Sequence, residues 1–86
     1  MTQTPGESVL DTRGLLCPLP VIRTQERVRT LADGTELTVL ASDPGTMEDI
    51  PAWCRVHGHT LLSKARDGRL CTFRLRIGKR QAASAP

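Results

Sequence analysis

Aromatic side chains are almost absent from this 86-residue chain, which has one tryptophan, Trp53, one phenylalanine, Phe73, and no tyrosine. Proteins that bind single-stranded nucleic acid commonly stack the bases on exposed aromatic rings. The composition therefore argues against a base-stacking platform, and direct nucleic-acid binding is disfavoured. The chain is also too short for two separate hydrophobic cores, so we expect one domain.

Long hydrophobic runs are missing as well. No apolar stretch approaches the roughly 20 residues that a helix needs to cross a bilayer. The first residues, MTQTPGESV, lack the basic and apolar regions of a secretory signal. We therefore expect a cytoplasmic protein without a membrane partner, with loose tails at residues 1–6 and 80–86 around a domain at 7–79.

Cysteine is scarce: Cys17, Cys54 and Cys71 are odd in number, and no two form a Cys-x-x-Cys motif. This pattern argues against a disulfide-stapled secreted scaffold and fits reduced thiols in a reducing compartment better. Cys71 alternates with Phe73 and Leu75, and Cys54 lies on an apolar helix stripe. Both are predicted to be buried and inert.

The hydrophobic periodicity predicts the element order βαβαββ. Strands are expected at residues 7–12 and 35–41, and a first helix from Pro18 to about Ala32. Its apolar side is predicted to comprise Val21, Ile22, Thr24, Val28 and Leu31.

A second helix is expected to end near His57, with Gly58 as its cap and with a kink at Pro51 or a start there. Its predicted stripe is Met47, Ile50, Cys54 and His57.

The pattern of residues 60–78 predicts a hairpin with Asp67-Gly68 as its tight turn. Because two helices cannot cover both faces of a four-stranded sheet, we predict an α+β two-layer sandwich. Both helices lie on one face of a mixed sheet, and the basic side chains of the last strand lie on the other.

The stretch DTRGLLCPLPVIRT, residues 11–24, places a cysteine where a helix begins. Gly14 loosens the chain before Cys17, while Pro18 and Pro20 stiffen the first helical turn. The helix dipole is expected to favour a thiolate, and the amides of Leu19 and Val21 to face an incoming anion.

This thiol has no evident catalytic partner. Position 20 is proline where a thioredoxin-type motif would have a resolving cysteine, and the two histidines, His57 and His59, are expected at ordinary helix-end or loop positions. A thiol of this kind can accept a group and pass it on. Sulfur carried as a persulfide is the natural cargo, since persulfide exchange needs only an accessible nucleophilic sulfur.

The segments LDTRGLLCPLPVIRT and ASDPGTMEDIPAWCRVHGHTLL resemble the two motifs of TusA/SirA-like sulfur carriers, whose hallmark is Cys-Pro-x-Pro at the first helix. The resemblance covers about residues 9–78. It implies a βαβαββ sandwich that holds a persulfide on Cys17, with no other cofactor and no metal.

The resemblance further implies a sulfur donor protein, either a cysteine desulfurase or a rhodanese-like protein, and a downstream acceptor protein. The pathways open to such a carrier are tRNA thiolation, molybdenum-cofactor maturation and cytoplasmic sulfur oxidation. We expect a monomer that forms transient complexes. Leu16 and Leu19 replace an arginine and a glutamate often found in tRNA-modifying members, and they are predicted to form an apolar docking rim.

Four charged residues have two interpretations each. Asp43 and Asp49 either shape the turn and helix start or border the thiol or a docking surface. Arg23 and Arg27 either face solvent or meet an acidic partner.

Two other functions stay open. One is a nucleic-acid-binding or regulatory module that uses the basic C-terminal residues Arg66, Arg69, Arg74, Arg76, Lys79 and Arg80. The other is a zinc site formed from Cys54, His57, His59 and Cys71. The predicted burial of its two cysteines argues against this site.

Overall fold

The computed structural model describes residues 7–78, and its elements follow the predicted order. The predicted tails and residue 79 lie outside the described residues. The strands and helices are β1 (Glu7–Asp11), α1 (Leu19–Val28), β2 (Glu36–Ala41), α2 (Thr46–His57), β3 (Thr60–Asp67) and β4 (Leu70–Arg76).

The strands form one mixed sheet in the order β1-β2-β4-β3. β1 pairs with β2 in parallel, and β4 runs antiparallel to both β2 and β3. The predicted α+β class with a four-stranded mixed sheet is confirmed. None of the helices in residues 7–78 has the length and apolar character to cross a membrane.

The core lies between the helices and one face of the sheet. Alternate residues of β2 and β4 point into it, as period-two patterning requires. Phe73 and Val39, which face each other across the two strands, are fully buried. The buried cluster comprises Val28, Leu37, Val39, Ala41, Ile50, Trp53, Cys54, Cys71, Phe73, Leu75 and Ile77.

Helix α1 is shorter than predicted, because it ends at Val28 rather than near Ala32. Beyond it, the amides of Thr30 and Leu31 donate to carbonyls three residues back, which tightens the chain into turns. The predicted apolar stripe holds for Thr24 and Val28, which are buried. Ile22 does not belong to it and is 45% exposed.

Helix α2 runs without interruption through Pro51, so the predicted start at Pro51 is wrong. A proline removes the hydrogen bond to the carbonyl four residues earlier, here that of Met47. Lys64 Nζ of β3 lies 3.5 Å from this carbonyl oxygen and replaces the missing donor. The predicted Gly58 cap is present, with φ 78°. Trp53 is a core residue that the predicted stripe missed.

The β3–β4 turn is shifted by one residue from the prediction. Asp67 pairs with Leu70, so the two turn residues are Gly68 and Arg69. Gly68 has φ 62°, a left-handed conformation that glycine adopts at no steric cost at the first position of a type II′ turn.

The topology places the two helix starts side by side. Because β1 and β2 are parallel and each leads into a helix, their carboxyl ends lie at the same edge of the sheet. The loop before α1 and the loop before α2 are therefore neighbours. Here we call residues 12–18 the Cys17 loop and residues 42–45 the Asp43 loop.

Candidate functional site

Hydrogen bonds join the Cys17 loop to the end of β2 and to the Asp43 loop. Thr12 donates to the carbonyl of Leu40, Gly14 N donates to Ser42 Oγ at 2.8 Å, and Cys17 N donates to Asp43 Oδ2 at 2.7 Å. The position of the cysteine backbone is thus fixed by the neighbouring loop. The role of Ser42 was not visible in the sequence, since a lone serine in a turn carries no distinguishing signal.

Asp43 holds both loops at once. Its Oδ1 accepts the amide of Gly45 at 3.0 Å, and its Oδ2 accepts the amide of Cys17. These two backbone donors lower the pKa of Asp43, that of Cys17 first, because they stabilise the charged carboxylate. Asp43 therefore shapes its own turn and also borders the cysteine, so both interpretations of this residue apply.

The thiol of Cys17 is exposed and has a carboxylate as its partner. Cys17 Sγ donates to Asp49 Oδ2 at 2.8 Å. Asp49 lies in the first turn of α2 and reaches across to the start of α1. The Cys17–Pro18 peptide bond is cis. The Cys17 loop presents the sulfur atom to solvent beside two carboxylates.

The prediction of a lowered Cys17 pKa is wrong. The hydrogen bond to Asp49 is the largest cause of a raised pKa, followed by desolvation and by the charges of Asp49 and Asp43. A thiol that donates to a carboxylate is stabilised in its protonated form, and nearby negative charge disfavours the thiolate. In the free protein Cys17 is therefore a neutral thiol at pH 7.

The predicted anion site at the first helical turn is also wrong, because its amides are occupied. Leu19 N donates to Leu16 O at 2.8 Å, and Val21 N donates to Pro18 O at 3.1 Å. Pro18 is the N-cap residue with φ −97°, and Pro20 lies buried in the first turn. The prolines stiffen the loop, but the backbone leaves no free donors for an anion there.

Two large hydrophobic side chains close to Cys17 in sequence are exposed. Leu16 is 72% exposed and Leu19 is 42% exposed, although both are large and hydrophobic. Ile22 follows Leu19 by three residues and extends the same exposed helix face. We call these three residues the apolar rim. Ile22 belongs to it because it lies on the opposite side of α1 from the buried residues Thr24 and Val28.

The two helix arginines have different surroundings. Arg27 Nη1 donates to Ser8 Oγ at 3.2 Å and to the carbonyl of Val9 at 3.1 Å, so it ties α1 to β1. Arg23 Nη1 lies 3.8 Å from Glu26 Oε1, and both side chains are mostly exposed. Arg23 is thus available at the surface near the rim, while Arg27 has a structural role.

The basic residues of the hairpin do not form one patch. Arg74 and Arg76 lie on the open face of the sheet, as predicted, where both form ion pairs with Glu36. Arg66 pairs with Cys71 in register, which places it on the side of the sheet that carries the helices. Lys79 and Arg80 lie outside the described residues. The nucleic-acid alternative thus lacks a continuous basic surface within residues 7–78.

The four residues of the zinc alternative have other surroundings. Cys54 and Cys71 are each 1% exposed. The rings of His57 and His59 pack against Trp53, and His59 Nδ1 accepts the amide of Gly78 at 3.0 Å. Across residues 7–78, no three His, Cys, Asp or Glu side chains are grouped to hold a metal ion.

Comparisons with known proteins identify the family. Residues 8–79 match the family described as Sulfurtransferase TusA. The chain is 46% identical over 67 residues to a protein named Sulfur carrier protein TusA from Pseudomonas putida strain GB-1, covering 78% of this chain and 84% of that one. It is 43% identical, with the same coverage, to the protein of that name from strain W619.

A solved structure has the same fold. The SirA-like protein from Desulfitobacterium hafniense superposes with a TM-score of 0.72 at 22% identity, covering 83% of this chain and 97% of that chain. The family match spans nearly all of the described residues, and the identity to the P. putida relatives is high over most of both chains. This chain therefore belongs to the TusA sulfurtransferase family.

Proposed function

We propose that this protein is a sulfur carrier that holds a persulfide on Cys17 and transfers its outer sulfur between proteins. The observation that carries the proposal is the exposure of the Cys17 thiol on a loop fixed by the Asp43 loop. Cys54 and Cys71 are each 1% exposed, whereas Cys17 is exposed. The sulfur carrier names of the P. putida relatives support the same role.

The transfer needs no oxidant. The Cys17 sulfur, after losing its proton, attacks the outer sulfur of a persulfide on the donor protein, and the donor's S–S bond breaks as the new one forms. The donor thiolate leaves and takes up a proton. A thiol and a persulfide have exchanged one sulfur atom. Handing the sulfur on repeats the step, with Cys17 as the leaving group and the acceptor's thiolate as the nucleophile.

Asp49 restrains this reactivity in the free protein. Its carboxylate accepts the thiol proton at 2.8 Å and disfavours negative charge on the sulfur. Since the thiolate is the nucleophile, the free carrier reacts slowly with unintended electrophiles. A partner that covers or neutralises Asp49 on docking releases the restraint, so transfer is confined to the complex.

The partners are proteins on both sides of the transfer: a cysteine desulfurase or rhodanese-like donor, and an acceptor in tRNA thiolation, cofactor synthesis or sulfur oxidation. We place the exchange in the cytoplasm, where thiols stay reduced. The carrier acts as a monomer in transient complexes. It has no cofactor besides the covalent sulfur.

Intact-mass measurement tests the role of Cys17. After incubation with a cysteine desulfurase and cysteine, or with a rhodanese and thiosulfate, the protein should gain one sulfur atom that dithiothreitol removes. Cys17→Ser should gain none, and the matched core variant Cys54→Ala should gain it as the unchanged protein does. Loading of Cys17→Ser, or no loading of the unchanged protein by either donor, would refute the proposal.

The apolar rim is the proposed contact with a partner. Leu16 and Leu19 expose apolar area that a partner would remove from water at about 25 cal/mol per Å². Leu19→Glu should lower the affinity for a sulfur donor that loads Cys17, measured by calorimetry. Val56→Glu is the matched control, because Val56 is 78% exposed on α2 and lies outside the rim. Equal affinity of both variants would remove the rim from the interface.

A further inference from the structure

A cleft of about 500 Å³ opens beside Cys17, between the two loops and the β3–β4 hairpin. Leu16, which lines the cleft, is the neighbour of Cys17 in sequence, and Asp43, which also lines it, accepts the Cys17 amide. The volume falls in the range of roughly 300–1,000 Å³ that is typical of ligand-binding clefts. A segment seated there would contact Leu16 and Asp43, the first a chain neighbour of Cys17 and the second its hydrogen-bond partner.

The far wall of the cleft is cationic. It is formed by Arg66, at the end of β3, and by Arg69, in the turn. Within residues 7–78, neither guanidinium has a carboxylate at ion-pair distance, whereas Arg13, Arg74 and Arg76 each do. Arg66 uses only its Nε, which donates to the Gly68 carbonyl at 3.1 Å.

We propose that this cleft docks an acidic segment of the protein with which Cys17 exchanges sulfur, and that Arg66 and Arg69 bind the segment's carboxylates. The proposal rests on the proposed function and adds the chemistry of the partner. Paired arginines favour carboxylates because their planar guanidinium groups donate two parallel hydrogen bonds.

The remaining walls favour a peptide segment over a small free anion. The Asp43 carboxylate lines the cleft on the cysteine side and would repel a small dianion placed next to the thiol. Leu16 and Pro44 present apolar surface, which does not stabilise such an ion. A segment can place its carboxylates at the arginine wall and an apolar side chain against Leu16, with its sulfur at Cys17.

Thiol exchange with defined peptides tests this specificity. Two peptides carry a cysteine activated as its 2-pyridyl disulfide, one flanked by glutamates and one by glutamines at the same positions. The Cys17 thiolate attacks the peptide sulfur, the S–S bond breaks, and the released pyridine-2-thiolate is protonated to the thione, whose absorbance gives the rate. The Cys17→Ser variant gives the background rate at which Cys54 and Cys71 react, which is subtracted.

The unchanged protein should react roughly three- to tenfold faster with the acidic peptide at low ionic strength, and salt should reduce the preference. Arg66→Gln/Arg69→Gln should abolish the preference. Arg74→Gln/Arg76→Gln removes the same charge from the other face of the same hairpin and should retain it. Arg69→Gln alone should lose part of it.

Three results would overturn the proposal: no preference in the unchanged protein, an undiminished preference in Arg66→Gln/Arg69→Gln, or an equal loss in both double variants. Free thiosulfate tests the alternative that the cleft binds a small anion. If it does, millimolar thiosulfate should abolish the preference for the acidic peptide, whereas sodium chloride of equal ionic strength should not. Persulfide loading measured by mass is independent of the peptides, so a failure of the docking proposal leaves the carrier role testable by itself.

Discussion

The edge of the sheet and the hydrophobic core of this protein each hold cysteine, and the two environments give it different chemistry. At the edge, Cys17 is exposed, hydrogen-bonded to Asp49 and held by a backbone contact to Asp43. In the core, Cys54 is 1% exposed, and burial raises its pKa to about 11. Both thiols are protonated at pH 7, but for different reasons.

The difference shows that a neutral thiol is not necessarily an inert one. Cys54 is protonated because a thiolate would lose its hydration in the core, which no partner protein can reverse without unfolding the chain. Cys17 is protonated mainly because a carboxylate accepts its proton. A docking protein can remove that interaction at the surface. The protonation of Cys17 can therefore be regulated, whereas that of Cys54 cannot.

The rate of alkylation is the property that we expect to differ most between the two environments. Iodoacetamide should modify Cys17 and leave Cys54 and Cys71 unmodified, because a buried thiol reacts only when the chain opens. With a typical unfolding free energy of about 5 kcal/mol or more, the core cysteines should react at least a thousandfold more slowly. Peptide mapping after timed alkylation measures the ratio, and comparable rates for all three would mean that the core is open.

Truncations should show the same contrast in stability. Phe73→Ala removes a fully buried ring and should cost about 3–5 kcal/mol of unfolding free energy, measured by urea denaturation. Leu16→Ala removes an exposed side chain and should change the unfolding free energy by less than about 0.5 kcal/mol. A large loss for Leu16→Ala would mean that the residue packs in the fold rather than serving a partner.

Cys54 should also make stability dependent on pH in the alkaline range. Its pKa rises from about 9 in the unfolded chain to about 11 in the folded protein, so the folded state favours the protonated thiol. The stabilisation is complete below pH 9 and is lost as pH rises toward 11, by roughly 2–3 kcal/mol for such a shift. Cys54→Ala should show a correspondingly flatter profile of unfolding free energy between these pH values, whereas an identical slope would assign the pH dependence to other groups.

The sequence allowed the fold to be predicted well because its signals were local. Alternation in β2 and β4 identified the core face, and Gly58 identified the end of α2. The errors came from competing interactions between elements. Lys64 replaces the donor that Pro51 lacks, and α2 begins at Thr46 rather than at the predicted start, Pro51. Periodicity could not foresee a partner from another strand.

The position of Cys17 before a helix was predicted, but the charges around it were not. Cys-Pro-x-Pro placed the cysteine at the helix start, and a helix start by itself favours a thiolate. The opposite result depends on Asp43 and Asp49, which lie 26 and 32 residues away in sequence from Cys17. Their approach follows from the parallel pairing of β1 with β2, whereas the sequence alone left it as one of two interpretations of each aspartate. Pattern identifies a reactive residue, while its pKa is set by the fold around it.

Asp49→Asn gives the smallest effect and separates the charge of this residue from its hydrogen bond. Asparagine still offers an oxygen that can accept the thiol proton, but it carries no negative charge. The Cys17 pKa should therefore fall, and the rate of alkylation at pH 7.5 should rise. Each unit of lowered pKa increases the thiolate about tenfold but weakens its nucleophilicity, so the net gain is roughly threefold per unit.

A pH–rate profile distinguishes this effect of Asp49→Asn from a loosened loop, because loosening would raise the plateau rate without moving the midpoint. Glu48→Gln, also in the first turn of α2, removes a carboxylate for which no contact with Cys17 is seen, and it should leave the midpoint in place. A midpoint for Asp49→Asn that stays at the value of the unchanged protein would show that Asp49 does not restrain the thiol, and the regulation of Cys17 by docking would lose its physical basis.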